Sequence, residues 1–321
     1  MRRLLSSLLV AGVVAQPLKA QTQTGSEGAL FLLLPTGAVA VGMGQAMAGA
    51  QPGSEGIWWN PASLGGQDKK ELAIHHSTTV AGVGDALTFV LPTHSYGVAA
   101  FSVNILNLGD QQVTDPNGQP IGVILPRDVV FATTYAAQFS KRFRVGANYK
   151  IVQVRFDCSG ECSTVGAEVE SSRAVDLGAQ YQIEAGAPLT FGAAIRSLGG
   201  RLNSTSTNQR ESLPTQVEVG VMYRLKFIDH YIKDTQLHLA SSFINSRDFG
   251  GKSGRAGVDV MYQEKVHLRA GFVGHDRRSD ASAALGFGLQ SGGFVFDIAR
   301  TFGGLPAENG NPVYVSLRYL F

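Results

Sequence analysis

The chain has 321 residues, of which 44% are hydrophobic, 16% are charged and 39 are glycine, with a formal net charge of +2. That balance excludes a basic field for nucleic acid, and the length suits one large β-barrel as well as two domains. No run reaches the roughly 18 apolar residues of a transmembrane helix; the best candidate, Ala29 to Leu34, stops at Pro35-Thr36-Gly37.

The first element is a targeting segment. Arg2-Arg3 precede the apolar run from Leu4 to Ala15, and Leu18-Lys19-Ala20 before Gln21 resembles a cleavage site, as does Val13-Val14-Ala15. Residues 1–20 therefore read as a secretory signal peptide, too short for a spanning helix. Residues 21–70 are apolar, small and glycine-rich, as in "GALFLLLPTGAVAVGMGQAMAGA", and lack the rhythm of strands. Such a segment needs a protein interior. Trp58 and Trp59 stand side by side ahead of Asn60-Pro61, a turn signal. They have two readings: a wedge that fixes the segment inside the protein, or an anchor at a membrane interface, where tryptophan is favoured.

Residues 71–321 repeat one pattern, apolar residues alternating with polar or small ones, the period of a strand. Fourteen runs are expected, near 71–79, 85–92, 95–107, 129–140, 143–156, 172–184, 188–199, 215–225, 234–245, 254–264, 265–274, 279–290, 292–302 and 311–321. An even number returns the chain to its starting side. Connections after odd runs tend to be long and those after even runs short, the rhythm of outer loops and periplasmic turns; the short first loop and the longer "FIDHYIKD" turn are exceptions. Phe139, Tyr181, Tyr223, Tyr262 and Tyr319 fall near the ends of even runs on the apolar face, as an aromatic girdle would. The chain also ends on an aromatic, Phe321, inside the last run.

The expected fold is all-β: a 14-stranded antiparallel transmembrane β-barrel in a bacterial outer membrane, facing lipid, with a plug from residues 21–70. Eight strands enclose a bore that side chains fill and 16–18 leave a channel, so a fourteen-stranded bore needs water or a plug. Candidate plug or ligand contacts are Phe31, Leu33, Pro35, Met43, Met47, Trp58, Trp59, Asn60 and Pro61. Strand parity turns Asp176, Glu218, Arg224, Asp259, Arg269, Asp297 and Arg318 into the lumen. Buried charges need partners, so these either satisfy one another and the plug or line a polar pathway or docking surface.

Cys158 and Cys162 are expected to close a small disulfide in an oxidising compartment. No metal-ligand spacing, cofactor motif or catalytic constellation stands out. His75-x-Ser77 has same-face spacing, but the phase of Leu72 and Ile74 turns it inward, away from lipid. The protein reads as a non-enzyme.

The stretch "LPTGAVAVGMGQAMAGAQPGSEGIWWNPASLG" resembles the N-terminal signature of the PorV/PorQ family, outer-membrane proteins related in fold to the FadL fatty-acid channels. The matching positions are Pro35-Thr36-Gly37, Gly42-Met43-Gly44, Trp59, Asn60-Pro61-Ala62 and Leu64; the likeness continues through "FRVGANYKIV", "VDLGAQYQ", "LPTQVEVGVMYRL", "VHLRAGF" and "FVFDIA". Gln45 stands where a glycine is usual, and Asp297-Ile298 where an aspartate-tyrosine pair is usual. The resemblance implies a 14-stranded barrel with an N-terminal hatch. It also implies a component of type IX protein secretion, with secreted cargo and secretion-system subunits as partners at the outer loops near 108–128, 157–171, 200–214 and 303–312. The alternatives are a FadL-like channel passing small hydrophobic molecules along residues 31–64, and a structural barrel with no transported ligand.

Overall fold

The computed structural model describes residues 28–51, 53–93, 96–161, 168–185, 187–203, 210–226, 228–246, 251–276, 281–304 and 310–321. The expected signal peptide and Cys162 lie outside these residues; Cys158 is described and is not a free thiol.

Fourteen antiparallel strands close into a barrel. They are β1 (Glu71–Thr79), β2 (Gly82–Pro92), β3 (Val98–Asn107), β4 (Pro120–Gln138), β5 (Phe143–Gly160), β6 (Glu168–Ala185), β7 (Ala187–Gly199), β8 (Gln216–Arg224), β9 (Thr235–Ser246), β10 (Lys252–Tyr262), β11 (Val266–His275), β12 (Ser282–Ser291), β13 (Phe294–Gly303) and β14 (Val313–Leu320). Each pairs with its sequence neighbours, and β1 pairs with β14 from Glu71↔Leu320 to Thr78↔Val313. Beyond that register, Lys70 and Phe321 exchange both backbone hydrogen bonds, at 3.0 and 3.1 Å. Closure removes the free edges that an open sheet would present.

Period-2 alternation sorts each strand into two faces. Leu72, Ile74, Leu268, Leu285 and Leu317 point outward, Leu285 keeping 58% of its surface exposed, while Ala73, His75, Arg269 and Ser316 point in and are buried. An exposed leucine on strand after strand is the lipid-facing band of a barrel. The girdle residues ring one end: Phe143 pairs with Tyr181, Phe294 with Tyr319, and the Phe294 and Tyr319 rings lie 4.7 Å apart. No described helix is long and apolar enough to cross a membrane.

The rim at the other end is uneven. β1 has 9 residues, about what a tilted strand needs to span the hydrocarbon, whereas β4, β5 and β6 have 19, 18 and 18. The stretch 108–128, expected as a loop, contains the short strand Gln111–Thr114 and the start of β4. Its turn is tied by Asp115, whose carboxylate accepts the N–H groups of Asn117 and Gln119 at 2.9 and 2.8 Å. The Gln119 bond is the main cause that holds this carboxyl below its ordinary range. The "FIDHYIKD" exception includes a short helix, Ile228–Tyr231.

The N-terminal segment fills the bore from mouth to mouth. At the outer end the N–H of Gly28 donates to Ser212 O, beside a small hairpin of Arg201–Asn203 with Arg210–Ser212. Leu202 and Leu213 are buried there with Val152 and Ala174, and Ala29, Phe31 and Leu32 pack against them. The chain then forms a 3-10 turn (Leu30–Leu33), α1 (Ala38–Gly42), α2 (Gly56–Trp59) and a second 3-10 turn (Pro61–Gly66) before leaving through Lys70 at the girdle end. The main core lies between this segment and the inner wall. It gathers Met43, Met47, Ile57, Trp58, Trp59 and Leu64 against Val90, Val98, Val130, Met222 and other wall residues.

Candidate functional site

The bore, with the segment held in it, is the candidate site. The "WWNPA" stretch is fixed at every residue. Arg196 Nη1 donates to Trp58 O at 3.2 Å, and Trp59 Nε1 donates to Thr36 O at 2.9 Å. The guanidinium groups of Arg196 and Arg255 lie over the Trp59 ring, 5.0 and 5.5 Å from its centroid, within cation–π range. Asn60 caps the following turn through Oδ1, which accepts Ala62 N–H at 3.1 Å; its amide donates to Ala48 O at 2.6 Å and Ala179 O at 3.4 Å. Pro61 occupies the first turn position, where a missing N–H is harmless. Both indoles lie inside the bore, Trp58 8% and Trp59 3% exposed, rather than at a membrane interface.

Five inward glycines let the segment's backbone touch the wall. A Cβ on Gly146 would overlap Pro61, on Gly178 the Asn60 side chain, on Gly192 the Ala48 carbonyl, on Gly257 the Met43 carbonyl and on Gly271 the Gly44 N–H. Asn148 reaches Ile57 O at 3.0 Å, and Gln180 reaches Ala48 O and Ala50 O at 3.1 and 3.0 Å. The polar wall thus supplies the hydrogen bonds that an irregular buried backbone requires.

Glu55 organises the first helix. Its carboxylate accepts the N–H groups of Val39 and Ala40 at 3.1 and 2.7 Å, while Ser316 Oγ accepts that of Ala38 at 2.9 Å. Gly37 precedes with φ 95°, where a Cβ would overlap the Glu55 carboxyl. Three residues past α1, Gln45 sits at φ 60°, a left-handed conformation that a Cβ disfavours. Gln45→Gly is expected to stabilise the docked segment by about 1 kcal/mol. An increased urea midpoint of tryptophan fluorescence would show it; a decrease would mean that the side chain, not the backbone, governs this turn.

The seven lumen charges expected from parity all come from inward strand positions, and the structure brings six of them into two groups. Asp297 accepts from Arg269 Nη1 at 2.7 Å and Arg318 Nη2 at 2.9 Å. Arg318 Nη1 lies 3.7 Å from Glu71, and Arg269 Nε lies 3.4 Å from Asp259, which also holds His267 Nδ1 at 3.0 Å. Across the bore, Glu218 faces Arg196 at 3.5 Å, and Asp176 binds Lys150 Nζ at 2.6 Å and Ser197 N at 2.7 Å. Arg224 lines the cavity on the girdle side. A β-bulge in β7 sets Arg196 and Ser197 together opposite Asp176, with Ser197 at φ 55°, and turns both inward.

Two cavities flank the segment. One, of about 30 Å³, lies toward the outer mouth among Phe31, Leu32, Leu34, Trp58 and Trp59. The other, of about 480 Å³, lies on the girdle side, with Met43, Met47, Glu55 and Met222 in its lining. Leu33 and Pro35 line neither; they are half-buried, and the 3-10 turn presents Leu32 and Leu34 instead. His75 is buried and hydrogen-bonded to Ser316 Oγ at 2.8 Å, not paired with Ser77. Among the described residues no group of three or more His, Cys, Asp or Glu side chains could hold a metal. Reading from the sequence missed Lys150, Arg196, Arg255, Asn148, Gln180 and Glu55. The five on strands share the inward parity of neighbours that were identified.

The fold is similar to those of several outer-membrane proteins. The P. putida toluene transporter TodX superposes with a TM-score of 0.58 at 11% identity, over 89% of this chain and 98% of that one. The Ralstonia pickettii toluene transporter TbuX gives 0.53 at 13% identity, over 89% and 98%. A Pseudomonas aeruginosa FadL homologue gives 0.54 at 12%, over 89% and 98%. At such identities the likeness is one of fold: the chain folds as these 14-stranded barrels do. No family model matches the chain, and no curated protein matches it.

Proposed function

We propose that the protein is a passive outer-membrane channel for small hydrophobic molecules, with residues 28–66 as its hatch. The observation that carries this reading is the paired cavities, one on each side of the hatch, with apolar and methionine side chains between them. A structural barrel would have no use for a lumen kept open on the girdle side. The names of the similar structures, toluene transporters, support the same class of solute. Selection would come from the hatch, since the wall itself is charged.

The test is uptake of toluene into proteoliposomes. Trp59→Ala removes the ring beneath Arg196 and Arg255 and enlarges the outer cavity, and is expected to raise toluene flux severalfold. Unchanged flux, with the barrel folded, would overturn the reading.

A second reading keeps the PorV-like secretion role, with cargo proteins and secretion subunits as partners. It draws on the signature around Trp59-Asn60-Pro61-Ala62 and on the tall β4–β6 wall, which rises well past the length a membrane requires. Its test is deletion of the gene, after which exported proteins should accumulate in the periplasm. Normal export would remove it.

A further inference from the structure

One ionisable pair faces the lipid side of the wall. His76 on β1 and Asp85 on β2 stand directly opposite each other, and His76 Nδ1 meets Asp85 Oδ1 at 2.7 Å. Parity turns both outward, with exposed Ile74 and Leu87 on the girdle side of them and exposed Val83 toward the rim. The same register line continues to Val315 on β14 and Ile105 on β3. The His76 and Asp85 side chains keep 49% and 62% of their surface open, so nothing in the chain covers them.

The pair falls inside the lipid-facing band. Leu72 is level with the girdle, being paired with Tyr319. Four residues farther along a strand tilted by about 40° climb about 10 Å. The apolar band of such a barrel is about 25 Å tall. Hydrocarbon offers neither donor nor acceptor, and ionisable side chains at this depth are rare unless they meet protein or water. Arg300 on β13 also faces outward, but its long stem can lift the charge toward the surface, and it lies over the Phe302 ring, 5.9 Å from the centroid. Imidazole and aspartate have no such reach.

We propose that this face of β1 and β2 joins a second copy of the chain across a two-fold axis, His76 of each copy meeting Asp85 of the other. An isologous interface demands a patch that complements itself. This one does: an axis along the membrane normal, between the two strands, sets imidazolium against carboxylate twice. One Asp85 oxygen takes the Nδ1 proton within the copy, and the other takes the Nε2 proton across the axis. A carboxylate only accepts, and an imidazolium donates from both nitrogens. The four charges cancel, and the apolar neighbours supply the packing. A different membrane protein would need a matching patch of its own, which a second copy carries by construction. The outer rim leaves room for the approach, because Val80-Ala81 alone joins β1 to β2, in a turn closed by Thr79 Oγ1 donating to Gly82 O at 2.9 Å. Pairing leaves each bore and hatch as they are, so this inference stands apart from the channel reading.

The test is thiol cross-linking of the full chain in native outer membranes, with the chain lacking an added cysteine as the blank. Leu87→Cys places a thiol beside the axis. Val219→Cys, on β8 across the barrel and 49% exposed to lipid, is the control. A short bis-maleimide is expected to join two Leu87→Cys chains into a species of twice the mass and to leave Val219→Cys single. Adding His76→Leu with Asp85→Leu should cut the yield about tenfold or more, as loss of an interfacial charge pair does. Exchanging the pair, His76→Asp with Asp85→His, keeps the patch self-complementary and should restore the yield. No dimer from Leu87→Cys, or an equal yield from Val219→Cys, would overturn the proposal. So would a leucine variant that dimerises as well as the wild type, or a Leu87→Cys adduct with a different protein in place of the dimer. Heat-modifiable gel mobility confirms that each variant is a folded barrel.

Discussion

Replacing Gly192 and Gly271 together by alanine is expected to expel the hatch while leaving the barrel closed. Each glycine faces hatch backbone, Ala48 for one and Gly44 for the other, and a methyl group would overlap main-chain atoms that no rotamer change can clear. Overpacking costs roughly 1–3 kcal/mol per site where side chains can yield, and rigid backbone sets the upper end, so the pair should destabilise docking by about 4–6 kcal/mol. Barrel pairing does not involve these methyl groups. The readout is built in, because both tryptophans of the chain are in the hatch. Emission should shift to the red and chymotrypsin should cut near Trp59, while the folded barrel keeps its fast migration on unheated gels. Gly254→Ala is the control, as its Cβ would meet nothing within 4 Å. Wild-type emission in the double variant would show that the hatch is not held by close backbone contact.

Asp297→Ala is expected to be the most damaging single change on the wall. Asp297 is fully buried and binds two guanidinium groups, from β11 and β14. Removing the acid leaves Arg269 and Arg318 facing each other, with Asp259 and Glu71 at longer range, 3.4 and 3.7 Å, and the Glu55 carboxyl also near Arg318. Breaking a buried pair costs about 3–5 kcal/mol, because the surviving charge is left uncompensated. The urea midpoint measured by gel mobility should fall accordingly. Adding Arg318→Gln should recover part of the loss, since one stranded cation is then gone. A loss under about 1 kcal/mol would mean that water reaches this cluster and screens it.

The fold was legible because parity is strict wherever one face meets lipid. Val258 and Val260 flank Asp259, Val217 and Val219 flank Glu218, and these alternations gave both the strands and the inward charges. Pro120 to Asp128 reads as loop for the same reason: above the membrane neither face must be apolar, so β4 loses its alternation there while still pairing with β5. Leu33 and Pro35 were expected as plug or ligand contacts, but the chain coils into a 3-10 turn at Leu30–Leu33, with a period of three, and presents Leu32 and Leu34 to the cavity instead. Arg196 and Arg255 share parity with Gly192 and Asp259 and were within reach. The bulge at Ser197 was not, because nothing about a serine announces a left-handed backbone. Gln45 was visible as a departure from the family signature, and its positive φ supplies the physical reason a glycine is usual there.

The joining of β1 to β14, completed by Lys70 and Phe321, has a consequence for biogenesis. The hatch precedes β1 in the chain yet occupies the bore from one opening to the other. Once the last seam zips, a hatch left outside would have to thread some forty residues lengthwise through a ring that fits it at van der Waals distance. Assembly should therefore proceed around the hatch as a mandrel, and variants that loosen it should slow maturation before they alter the finished protein.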